Sequence, residues 1–201
     1  MTYQLVAIDQ NELCNLSELS QRIRPNSLLI ILNRKGEMTE SHQITHNFLG
    51  EIGIKFAEHA YSNFATGNCQ EPTHDAIGVL SDFARHPGTV TADEVIAAAE
   101  HADNASALRS EDKNNIPEFR LFEGKYSNAD LYTTETITSA AYFAMKTFLV
   151  PNSDGMWHAE DANFRDIATL AARAAYRKGG GRAEYVRQGE FIMEYLRTGS
   201  I

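Results

Sequence analysis

Cysteine is scarce in this chain. Cys14 and Cys69 are its only two, far apart and without a CxxC pairing. They read as reduced thiols, and the expected compartment is cytoplasmic. Cations are also in deficit, with 18 Lys and Arg against 27 Asp and Glu for a net charge of −9. That balance disfavours sequence-independent nucleic-acid binding, which needs Lys and Arg against phosphates, and adhesion to anionic membranes. No apolar run approaches the ~18 residues of a spanning helix. Met1 to Gln10 lacks the basic flank and long apolar segment of a secretory signal. The motifs GxSxG, GxxxxGK[ST] and HExxH are all missing, and neither cysteine sits in a nucleophile motif.

The hydrophobic content of 43% and charged content of 22% suit a soluble protein. A length of 201 residues fits one globular domain. The polar stretch from Arg109 to Gly124 is where a subdivision would fall. Two β-forming runs, Tyr3 to Ile8 and Ser27 to Leu32, flank a helical pattern from Glu12 to Ile23. Each reads as a short strand or a buried helical turn, which periodicity alone does not separate, and as strands they would make a short two-stranded element at the N-terminus.

The rest of the chain reads as helix. Ile44, Phe48, Ile52, Phe56, Ala60 and Phe64 recur every four residues, which predicts a long helix from about Thr39 to Phe64. Further helices are expected over 73–84, 92–108, 133–150, 159–178 and 182–197. The last is expected to bury Tyr185, Gly189, Ile192 and Leu196. The fold class is therefore mainly α, packed as one bundle.

A small residue, an apolar one and then a helix start recur at Gly36, Gly88, Ala129 and Gly155. A polar or acidic residue follows at His42, Glu94, Glu135 and Asp161. This punctuation resembles the EF-hand, a helix–loop–helix calcium module with a glycine at loop position 6 and a Glu at position 12. The resemblance implies helix–turn–helix units. In the fourth copy it implies a calcium site at Asn152, Asp154 and Asp161. The second copy puts Phe83, Arg85 and Pro87 where oxygen ligands are needed, and so holds no calcium. The alternative is a plain helix start, with Thr91 and Glu94 forming a capping box.

His42 and His46, four apart on the predicted helix, could hold a transition metal with His59, Glu58, His101 or Glu100. Arg177 to Arg182, with three glycines, reads as a hinge between helices. No set of catalytic residues converges in the sequence. The expected function is therefore a binding or regulatory one, with a protein segment or a small ligand in a groove between helices. The alternative is a metal- or haem-dependent enzyme using the helix-borne His and Glu residues.

Overall fold

A computed structural model describes residues 4–9, 13–64, 75–82, 164–175 and 180–199, with short runs between 89 and 97 and between 132 and 143. The described chain is mostly helical and carries one small sheet. Among the described residues no helix is long and apolar enough to cross a membrane. The polar stretch 109–124 lies outside them.

The sheet has three strands rather than two. Strand β1 (Gln4–Asp9) leads into helix α1 (Leu13–Arg22), and the chain returns as β2 (Ser27–Leu32) parallel to β1, with Val6 beside Leu29 and Ile8 beside Ile31. These four side chains are buried, and Leu16, Leu19 and Ile23 complete the core layer on that side. Strand β3 (Met38–Gln43) then pairs antiparallel with β2, so the sheet order is β1-β2-β3.

This corrects the long helix expected from Thr39. Residues 38–43 are an exposed edge strand, and helix α2 (His46–Phe64) begins seven residues later than Thr39. The reason is local. Asn33 closes a tight hairpin: its side-chain carbonyl accepts from the backbone N–H groups of Lys35 and Glu37, and Gly36 supplies a φ of 76°. The returning chain meets the open edge of β2 and satisfies its backbone there. Its residues contribute no apolar face of their own, and the four-residue stripe starts only at Ile44. The true helix start is Thr45, whose hydroxyl accepts from the Phe48 N–H at 3.1 Å. The turn at Gly36 therefore feeds a strand, and no EF-hand-like helix follows it.

Helix α2 packs on helix α3 (Phe164–Ala175), with Phe56 against Phe164 and Gly53 in close contact with Ile167. Helix α4 (Gly181–Thr198) crosses α1 so closely that Gly189 lies over the Leu16 backbone. A buried polar bridge ties three helices. Ser20 on α1 donates to Gln188 at 2.8 Å, and Gln188 donates to the Ala168 carbonyl on α3 at 2.9 Å. Residues 75–82 are helical and bury Ala76, Ile77 and Leu80. The described residues of 93–97 and 132–143 are helical too. The expected capping box is present: Thr91 N–H donates to the Glu94 carboxylate at 2.7 Å, and Glu94 N–H donates to the Thr91 hydroxyl at 3.3 Å.

Candidate functional site

The two longest helices among the described residues, α2 and α4, run antiparallel and touch mainly through long side chains. Glu51 meets Tyr195, Lys55 meets Phe191, and His59 meets Glu184. The steps are one turn each along α2 and about one and then two turns along α4, so the three pairs line one seam. At one end the Tyr195 hydroxyl donates to the Glu51 carboxylate, with Phe48 edge-on to the Tyr195 ring. Burial first, then the hydrogen bond and charge of Glu51, push the Tyr195 phenol well above its ordinary value of 10.0.

At the other end His59 Nδ1 lies 3.2 Å from a Glu184 oxygen. Glu184 is only 3% exposed, and His59 is 20% exposed. Glu184 sits in the first turn of α4, where the helix dipole favours a carboxylate. An ionised carboxylate only accepts hydrogen bonds, so Nδ1 is the donor in this contact, and in the neutral ring that leaves Nε2 with its lone pair. Phe64 and Phe191 stand edge-on to the imidazole at 5.7 and 5.3 Å between centroids and fix its plane.

Beyond this seam lies an open groove of about 560 Å³. One wall is the second half of α2, with Glu58, His59, Ser62 and Asn63. The other is the helical segment 75–82, with Ile77, Gly78, Ser81 and Asp82, and Phe191 closes one end. Lys55 in the groove is paired to Glu58 at 3.5 Å, and Arg187 covers Phe191 at 4.7 Å. Gly78 is exposed, and a Cβ added there would meet nothing within 4 Å. The fold therefore does not require glycine at this position.

The sequence-derived metal set does not converge. His42 is on β3, 3.1 Å from Glu40, and not on a helix. His46 is the first residue of α2. Thirteen residues of helix separate His46 from His59, a rise of about 20 Å, whereas ligands of one zinc ion lie ~2 Å from it. Glu58 lines the groove beside His59. His101, Glu100 and the expected calcium ligands Asn152, Asp154 and Asp161 lie outside the described residues. Among the described residues no group of three or more His, Cys, Asp or Glu could hold a metal ion.

Sequence reasoning missed Glu184, Gln188 and Phe191. The apolar stripe of α4 suggested Tyr185 and Leu196 as buried, but both are half-buried, and Glu184, Gln188, Phe191 and Met193 are buried instead. Gly189 was the available signal. A small residue inside a helix marks a close crossing, which would have turned its neighbour Gln188 inward as well. No family model, curated protein or solved structure matches the chain.

The seam also gives a pH dependence. A phenol whose folded value is raised contributes stability that is complete below the unfolded value and is lost as pH rises past it. Tyr195 is therefore expected to ionise above the ordinary phenol value in an absorbance titration at high pH. Tyr195→Phe should remove one phenol from the high-pH end of the titration. A difference between parent and variant that falls at the ordinary phenol value instead would show that the contact to Glu51 does not hold in solution.

Proposed function

We propose that the protein is a binding module that takes a segment of another protein in the groove between α2 and residues 75–82. The observation that carries this reading is the groove of about 560 Å³, walled by two helices, with an oriented histidine on its wall. Its lining residues are mostly polar, with Ile77, Tyr61 and Phe191 as the apolar contacts, and so offer hydrogen bonds together with limited apolar burial. A groove between helices suits a side chain or a short helical segment. Gly78 supports the reading further. Glycine inside a helix costs about 1 kcal/mol relative to alanine, and nothing in the fold explains it here. A backbone approaching the helix from the groove would.

Two substitutions at one position test this. Gly78→Ala should stabilise the protein by roughly 0.5–1 kcal/mol in urea unfolding, because helix propensity rises and no clash arises. Gly78→Trp should fold and fill the groove. A display selection of random peptides against the full chain, counter-selected on Gly78→Trp, should yield peptides that lose about tenfold in affinity on the filled variant, near 1.4 kcal/mol. If no selected peptide distinguishes the two proteins, the groove is not the binding site.

A further inference from the structure

We propose that the segment taken by this groove is basic, with a lysine or arginine side chain held between Asp82 and His59. The proposal rests on the groove being the binding site and names the chemistry of what it holds. It follows from which polar groups in the groove are already satisfied. The one lysine there, Lys55, is paired to Glu58. Arg187, beside the groove, is paired to Glu190 at 2.9 Å and lies over Phe191. Among the described residues, neither of these two cations is left without a partner.

The unsatisfied groups are of the opposite kind. Asp82 has no hydrogen bond or ion pair among the described residues, and its carboxylate can only accept. In its neutral form His59 spends its one N–H on Glu184, which leaves Nε2 as an acceptor. By the geometry of the ring, Nε2 faces away from Glu184, and His59 lines the groove. Ser81, next to Asp82, has no partner either and can serve as donor or acceptor. A ligand that supplies N–H donors and positive charge satisfies these groups. One that brings carboxylates leaves them opposed. The net charge of −9 acts in the same direction at long range, raising the encounter rate with cationic partners.

The acidic chain would draw any polycation weakly, so the experiment must separate site from surface. Acetylated and amidated nonapeptides on one Gly–Ser scaffold, carrying Lys, Glu or Gln at the same three positions, are titrated into the full chain at low ionic strength. The readouts are the histidine ring nitrogens and the backbone amides. The Lys peptide should give saturable shifts at His59 Nε2 and at residues 58–63 and 77–82. Asp82→Asn should weaken that binding about two- to fivefold, as loss of one exposed ion pair does. Glu40→Gln, on the exposed strand β3, should leave it unchanged. Equal response to the Gln or Glu peptide overturns the proposal, as does equal weakening by Asp82→Asn and Glu40→Gln. Silence of all three peptides overturns it too. In each of those cases the groove itself still stands if display-selected peptides lose binding on Gly78→Trp, so the two claims fail separately.

Discussion

Gly189→Ala is expected to be among the most damaging single-atom additions to this fold. A Cβ at Gly189 would lie 2.4 Å from the Leu16 carbonyl oxygen and 2.8 Å from its carbon, both backbone atoms. No side-chain rotation relieves such a clash, so α4 must move away from α1. That shift would strain the buried bridge from Gln188 to Ser20 and to the Ala168 carbonyl, which sits next to it in sequence. Overpacking in a core costs about 1–3 kcal/mol when side chains can adapt. Here the neighbour is backbone, and a loss of about 3 kcal/mol is expected, against the few tenths to 1 kcal/mol that alanine would gain over glycine from helix propensity alone. Urea unfolding at constant pH measures it. Gly78→Ala makes the internal control, since the same substitution in open space should change stability in the opposite direction. A Gly189→Ala protein as stable as the parent would mean that α1 and α4 do not cross at this distance.

The contrast between these two glycines shows where the sequence was readable. Regular burial was plain. Ser27 to Leu32 is an unbroken β-forming run and appears as β2 with the expected bounds. The apolar spacing of α1 and of α2 beyond Ile44 also appears as expected. The start of α2 was hidden because the stripe has no marker of where helix geometry begins, and Thr39 and Thr45 are equally good caps on paper. Only the pairing of β3 with β2, a contact between separate strands, makes Thr45 the right one. The site was hidden for a related reason. His59 stood out in the sequence beside Glu58 and as one of several histidines, which suggested a metal. Its partner Glu184 is 125 residues away and is not one of the residues that the apolar spacing of α4 marks. A carboxylate becomes a burial signal only once its donor is known, and periodicity carries no information about that.

The pair itself is expected to show strong non-additivity. His59→Phe keeps a planar ring between Phe64 and Phe191 but removes the donor from Glu184. The carboxylate, 3% exposed, is then left without its imidazole partner, and a cost of about 2–4 kcal/mol is expected. Glu184→Leu is expected to cost less, about 1–2 kcal/mol, because His59 is 20% exposed and water can take its freed N–H. The double variant leaves neither group unsatisfied and extends the apolar contact around Phe191. It should recover most of the loss and lie within about 1 kcal/mol of the parent. Urea unfolding of the four proteins closes the cycle. A coupling near zero would reduce His59 and Glu184 to two independent surface groups, and it would remove the anchor that orients Nε2 in the groove. A large coupling, together with a Glu184→Leu protein that folds but loses groove-dependent peptide binding, would separate the two roles of the pair. In that outcome stability would depend on Glu184 not being left alone, and the proposed recognition on His59 being held in place, with only the second lost in a double variant of nearly parental stability.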